Sequence, residues 1–391
     1  MEKVLGFLGM FLIVGMAYLF STNKKDVNWK SVICAFLGQI ILAVLLIKTP
    51  LWKLVELASK AIDWLVSQST EGIKFVFGDL ATTNGFILFF NGLLPIVFIS
   101  SLIGLLFHLG ILQKFISIVG TTVAKVLGVD TLVAVNGIAN MFMGQSDSLL
   151  VIKSYLPSAK DSVVFATLVG GMTSISTAVV GLYSSLGAQT EWIIVSMPLT
   201  VVSTFVLTQI LMPTTYSEEE IEIETSDKGI NALETMMNYA NSAFKCVIGI
   251  TVALLVFISV VFMINNLLGL VFDGVTLQSI IGVFFKPIAL LMGVPMNELT
   301  EVSNMLATKL ITNETIALGM PEFAMLSARV KAMVTVTMMG FAGIASIGIQ
   351  IGAYQAVAPN KVPTVAKIGF RALMCATFVN ILTGAVIGLV L

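Results

Sequence analysis

Apolar runs long enough to cross a bilayer recur along the chain, at 4–20, 31–47, 86–107, 162–186, 191–211, 244–271, 330–354 and 368–391. Roughly 20 apolar residues span the hydrocarbon as a helix, so the pattern predicts eight transmembrane helices. The stretch LWKLVELASKAIDWLVSQSTEGIKFVF (51–77) reads differently, because Leu54, Val55, Leu57, Ile62, Leu65 and Val66 alternate with Lys53, Glu56, Lys60 and Asp63. Helical spacing with one charged face, together with Trp52 and Trp64, predicts a helix lying in the membrane interface. The sequence TTYSEEEIEIETSDKG (214–229) is the one long polar stretch, and it reads as a solvated loop dividing the chain near its middle.

On either side of that loop one order of elements occurs twice. A span (86–107; 244–271) leads to a short amphipathic or apolar helix (111–128; 276–291), then to a polar-interrupted segment (131–157; 293–321). Two more spans follow, 162–186 and 191–211 in one half, 330–354 and 368–391 in the other. With the interrupted segments re-entering the membrane without crossing it, each block makes an odd number of crossings, and the two blocks are inverted. Inverted repeats with broken helices hold the solute near the midplane in many secondary transporters. The expected division is peripheral transmembrane helices (1–50), an interfacial helix (51–80), a first inverted repeat with scaffold helix, hairpin 1 and broken helix (81–212), a polar linker with an amphipathic helix (213–243), and a second inverted repeat with scaffold helix, hairpin 2 and broken helix (244–391).

Composition narrows the function. The chain is 57% hydrophobic and 11% charged, with a mean hydropathy of +1.00, where soluble domains carry about a quarter charged residues. A net charge of −1 offers no basic field for nucleic acid. Cys34, Cys246 and Cys375 each stand inside an apolar run and read as small core residues, without zinc or disulfide spacing. His108, the one histidine, ends an apolar run and reads as a snug interfacial residue. The first run lacks a basic leader and a small-residue cleavage site, so it reads as a retained helix.

Four places break the apolar pattern, in two pairs. NMFMGQSDS (140–148) and TKLITNETIA (308–317) each hold a carboxylate, Asp147 or Glu314, beside an amide, Gln145 or Asn313. GGMTSISTAVVG (170–181) and GFAGIASIGIQIGAY (340–354) carry small residues at a density that weakens a helix. Irregular backbone is tolerable at membrane depth only beside protein or a water-filled cavity, and its free carbonyls can ligate a hard cation. A charged side chain at that depth costs at least about 2.5 kcal/mol and marks a functional site by default. Packing explains glycines such as Gly170, Gly171, Gly340 and Gly352 equally well, but packing does not need a carboxylate. An intramembrane hydrolase using Asp147 and Glu314 has no nearby histidine and no GxSxG elbow, so a non-enzymatic protein is expected. Glu298 and Glu301 read as the surface end of the second hairpin.

GQSDS, the serine-rich break after it, KLITNE, GFAGIASIGI and AVAP, in that order over the whole chain, resemble the concentrative nucleoside transporters of the bacterial nucleoside permease type. The resemblance implies an all-α membrane protein with eight transmembrane helices and two re-entrant helical hairpins, working as an elevator-type protomer within a homotrimer. It implies secondary active uptake of nucleosides across the plasma (inner) membrane by a multi-pass protein. It assigns the nucleobase to Gln145 and Ser146, with Asp147 acting through water and Val179 packing on the base. The ribose hydroxyls fall to Glu314, and the seventh span adds substrate positions at Phe341, Gly343 and Ser346. A carboxylate can accept from two neighbouring hydroxyls through charge-assisted bonds, and an amide offers a donor and an acceptor to a base edge.

Three positions depart from the family pattern. Asp147 stands for the usual Glu, Thr315 for Phe, and Gly343 for a ribose-binding Asn. Losing that Asn removes a contact of about 1 kcal/mol and is expected to free space beside the sugar, admitting a modified or bulkier nucleoside or a related solute. The resemblance also places a coupling Na+ between the first hairpin and the fourth span, at Asn140, the Met143 carbonyl, Ser174 and the Ile175 carbonyl. Coupling to H+ through Glu314 or Asp147 is the alternative.

Overall fold

The computed structural model describes residues 2–81, 85–214, 229–272 and 274–391, and every regular element among them is helical. Helices α1 (Glu2–Leu19) and α2 (Trp29–Lys48) open the chain. Asn28 starts the second by accepting from Ser31 N, the usual task of an N-cap amide. The amphipathic stretch forms one helix, α3 (Trp52–Phe77), with Val55, Ser59 and Ser69 buried and Leu54, Leu57 and Trp64 exposed.

The first half continues with a π turn (Phe89–Leu93), α4 (Pro95–His108), α5 (Ile111–Leu127), α6 (Thr131–Met143), α7 (Asp161–Thr173), α8 (Val180–Ser185) and α9 (Thr190–Leu211). The second half holds α10 (Ala232–Gly269), α11 (Leu277–Leu291), α12 (Leu299–Ile311), two short helices α13 (Glu314–Leu318) and α14 (Pro321–Met325), then α15 (Ala328–Met338), α16 (Ala345–Val357) and α17 (Val362–Val390). Helix α3 is fastened over α9 where Thr190 Oγ1 donates to Asp63 Oδ1 at 2.9 Å and Trp52 meets Trp192.

Burial divides the helices sharply. In the most apolar 18-residue segment of α7–α8 94% of residues are buried and in that of α9 89%, whereas in that of α10 only 11% are. The central helices are joined by hydroxyl pairs, Ser203 with Thr383 and Thr173 with Thr204, each at 2.8 Å. Such bonds let polar side chains bind helices together inside an apolar medium. His108 Nδ1 lies 2.9 Å from Thr235 Oγ1 and ties the end of α4 to α10. The Glu298 carboxylate accepts from the N–H of Ser327 and from its Oγ (2.8 Å), joining the start of hairpin 2 to the start of α15.

Several elements differ from the expectation. Among the described residues seven helical stretches are long and apolar enough to cross a membrane. The seventh expected span, 330–354, is not among them because it is divided into α15 and α16 by non-helical residues 339–344, at the break expected there. Gly340 at that joint lies so close to the chain at Thr173 that a Cβ would sit 2.3 Å from its carbonyl oxygen. Among the described residues of 213–243 no separate amphipathic helix stands apart from α10, which runs unbroken for 38 residues, about 57 Å at the helical rise. No proline stands where its polar beginning and apolar body meet. Residues 215–228 of the acidic loop lie outside the described residues. Cys375 is buried as expected, but Cys34 on α2 and Cys246 on α10 are exposed, the latter on the face of α10 that borders the internal cavity.

Candidate solute and ion site

The first hairpin begins where Asp130 caps α6, its side chain accepting from Leu132 N and Val133 N at 3.0 and 3.3 Å. The helix stops at Gly144, whose φ of +84° lies in the left-handed region that glycine enters without penalty. The return limb is a pair of 3-10 turns, Asp147–Ile152 and Leu156–Ser158, in place of a second regular helix. Gln145, Ser146 and Asp147 therefore form the turn itself. The second hairpin tip lies between α12 and α13, where Asn313 caps the short helix by accepting from Ile316 N at 2.9 Å. That leaves Glu314 as the first residue of α13, buried at the tip.

Both helix breaks face these tips. Helix α7 ends at Thr173, and Ser174, Ile175 and Ser176 are non-helical before a 3-10 turn, Thr177–Val179. Thr177 Oγ1 donates to Met141 O at 2.9 Å, locking that break to hairpin 1. In the other break Ser346 Oγ donates to Phe341 O and holds the bend that starts α16.

One cavity of about 650 Å³ joins these parts, and Gln145, Ser146, Asp147, Val179, Glu314, Phe341, Gly343 and Ser346 all line it. The eight solute positions named by resemblance, drawn from both hairpins and both breaks, thus share one space. The opposite wall comes from α4 and α10, through residues such as Ser100, Tyr239, Ser242 and Cys246.

Of the four ion positions, Asn140 and Met143 stand on α6 of hairpin 1, and Ser174 and Ile175 in the break that follows α7. Met143 reaches the cavity, while Asn140, Ser174 and Ile175 are buried behind it. Asn140 Oδ1 accepts from Ser148 Oγ at 2.7 Å, its Nδ2 donates to Asn136 Oδ1 at 3.2 Å, and Ser174 Oγ donates to Gly170 O at 2.7 Å. Gly170 faces the Asn140 amide, where a Cβ would sit 3.5 Å from Nδ2. No group of three or more His, Cys, Asp or Glu capable of holding a metal occurs among the described residues. These donors are neutral oxygens, which suit a monovalent hard cation better than a transition metal.

The structure adds residues that sequence reading passed over. Tyr183 lines the cavity and donates to Glu314 Oε1 at 2.8 Å. Gln350, fully buried on α16, stands behind Gln145 with Nε2 3.4 Å from its side-chain oxygen. Neither signals itself in sequence, since each meets its partner only through the fold. The space expected beside Gly343 is smaller than its lack of a side chain suggests. A Cβ there would lie 3.3 Å from Thr312 O and 3.5 Å from Lys309 O, so glycine lets the break approach the backbone of hairpin 2.

Two polar tips and two helix breaks enclosing a cavity inside an apolar helical chain define a membrane transport protein. The profile described as Na+ dependent nucleoside transporter C-terminus matches residues 192–388, and that of the corresponding N-terminus matches residues 8–80. The chain belongs to this concentrative nucleoside transporter family. It is 31% identical over 410 residues to an uncharacterized transporter of Haemophilus influenzae, covering 100% of this chain and 98% of that one. It is 29% identical over 412 residues to nucleoside permease NupC of Helicobacter pylori, covering 98% of each. The solved structure of CNTnw in an inward-facing substrate-bound state matches with a TM-score of 0.93 at 28% identity, covering 99% of this chain and 98% of that one.

Proposed function

We propose that the protein is a secondary active symporter that imports nucleosides with Na+ across the plasma (inner) membrane, as an elevator-type protomer of a homotrimer. The observation that carries this reading is the convergence of Gln145, Ser146 and Asp147 from one hairpin with Glu314 from the other on a single cavity. Hairpin 1 presents an amide and a hydroxyl to a base edge, and Glu314 offers a carboxylate to the two ribose hydroxyls. A solute lacking those hydroxyls leaves a buried charge unpaired and is rejected. Na+ binds at Asn140 and Met143 O, on the same hairpin as the base contacts, and at Ser174 and Ile175 O, so that ion binding organises the solute site. The inverted repeats, 81–212 and 244–391, supply the hairpins and broken helices as the moving part, against a scaffold wall of α4 and α10.

Uptake of labelled nucleosides into proteoliposomes tests the reading. Accumulation that follows an imposed Na+ gradient is expected; no nucleoside uptake at all defeats the proposal. One observation favours a second coupling: Glu314 is a buried carboxylate within the cavity, a proper place for a transported proton. Uptake driven by a pH gradient and indifferent to Na+ selects that alternative.

A further inference from the structure

Lys309 is the most buried charged side chain among the described residues, 5% exposed, and the transport reading gives it no task. It lies near the end of α12. Its ammonium donates to Thr337 O in the last turn of α15, at 2.6 Å. With the Asn380 amide oriented by its hydrogen bonds, Oδ1 accepts from Lys309 Nζ at 2.8 Å and Nδ2 donates to Thr173 O, the last residue of α7, at 3.1 Å. Among the described residues no carboxylate lies within ion-pair distance of the ammonium; Glu314, five residues on, interacts with its charge through space only. The cavity beside it is about 10 Å³, room for one water at most.

The other half holds Asn140 in the corresponding place. Helices α6 and α12 are each 13 residues long and each ends at a hairpin tip. Each sets a buried polar side chain from its last turn against the last turn of a helix that then breaks. Asn140 lies beside Gly170 of α7, and Lys309 lies against Thr337 of α15. A helix C-terminus carries about half a negative charge on its unpaired carbonyls, and both breaks expose such an end. The first half meets that charge with neutral oxygens and amides. The second meets it with a covalently tethered positive charge.

We propose that Lys309 is a resident cation, its ammonium holding in the second half the place that a mobile monovalent cation takes in the first. The inference rests on the ion site proposed above. One mobile ion then suffices for two helix breaks, because the second break has its own. Asn380 links the two positions through one amide, which touches the ammonium at one end and the residue before Ser174 at the other. Occupancy of the ion site is thereby felt at hairpin 2, where Glu314 lies five residues beyond Lys309.

Lys309→Ala and Lys309→Gln, made in the full chain, test this against wild type in NaCl, choline chloride and propylammonium chloride. Na+-driven nucleoside uptake is expected to fall about tenfold or more, because the C-terminal end of α15 is left buried without the positive charge that meets it. Propylammonium is expected to restore thermal stability and uptake to Lys309→Ala, and the Na+ dependence of its stability to show a second, weaker site. Uptake within about twofold of wild type with an unchanged Na+ dependence overturns the proposal, as does a loss that no cation restores. Where the lysine variants do not accumulate folded, Asn380→Leu serves instead. It removes the ammonium's acceptor and is expected to raise the Na+ concentration for half-maximal stabilisation roughly threefold or more; an unchanged value overturns the proposal. Failure of the transport reading shows separately, as a wild-type protein that responds to neither nucleosides nor Na+. Propylammonium rescue of Lys309→Ala stability, measured without nucleoside, still decides the role of the lysine.

Discussion

Glu314 already has a partner inside the protein, because Tyr183 donates to one of its oxygens at 2.8 Å. Replacing Tyr183 with Phe leaves a buried carboxylate one donor short, at a cost of about 1–3 kcal/mol. A bound ribose brings hydroxyl donors of its own, so the cost falls more heavily on the ligand-free protein. Tyr183→Phe is therefore expected to lower the Tm without nucleoside and to enlarge the rise that saturating nucleoside produces. A thermal-shift titration reads both, and an unchanged rise would separate Tyr183 from the solute. Gly343 leads to a different expectation now that its neighbours are known. A Cβ at 343 presses on Thr312 O and Lys309 O, and Glu314 follows on the same hairpin. Gly343→Ala is expected to weaken nucleoside binding a few-fold through that displacement. Gly343→Asn brings the same Cβ but adds an amide beside the sugar, worth about 1 kcal/mol, so it binds more tightly than the alanine variant. Equal affinities for the two variants would show that the amide does not reach the solute.

At the scale of elements, the breaks distinguish glycines that the sequence left equivalent. Gly340 lies against the other break, where a Cβ would come 2.3 Å from Thr173 O and 2.6 Å from the Asn380 side-chain amide. Gly352 lies inside α16 with nothing within 4 Å of its Cβ position. Gly340→Ala forces packed backbones apart and is expected to destabilise by about 1–3 kcal/mol or more. Gly352→Ala removes only a helix-weakening glycine and is expected to gain up to about 1 kcal/mol. Thermal denaturation in detergent with the two variants side by side checks the contrast; equal shifts would refute close approach as the reason for Gly340. The breaks themselves were legible in the sequence, because small residues and hydroxyls inside apolar runs weaken helices locally. The eight cavity positions were legible through short contiguous motifs such as GQSDS and KLITNE. Tyr183 was not, for it meets Glu314 across 131 residues of chain, and periodicity carries no trace of such a pair. The unbroken α10 was misread because a switch from polar to apolar composition marks a change of surroundings, which a helix can cross without stopping.

The whole molecule places the cavity between two walls of different character. One wall is made by the hairpin tips and breaks, packed against the buried helices α7, α9 and α17. The other is made by α4 and α10, and α10 is largely uncovered on its remaining faces. The two helices are closely joined, since a Cβ at Gly104 would sit 2.7 Å from the Tyr239 ring. In an elevator the first wall slides past the second, so a fixed position on α10 should meet different surroundings as the equilibrium shifts. Cys246 is such a position, exposed on α10 and lining the cavity. Replacing Cys34, the other exposed thiol, with Ser leaves Cys246 as the reactive one, while buried Cys375 reports on unfolding. A charged methanethiosulfonate added from one side should then modify Cys246 at a rate set by how often the cavity opens to that side. Saturating Na+ and nucleoside together are expected to change that rate by about tenfold, the effect of a population shift near 1.4 kcal/mol. On the proposed assignment of both sites to hairpin 1, either ligand alone should do less. A rate that is the same under every ligand condition, with Cys375 unlabelled throughout, would mean that the wall of α10 and the hairpins do not move past each other.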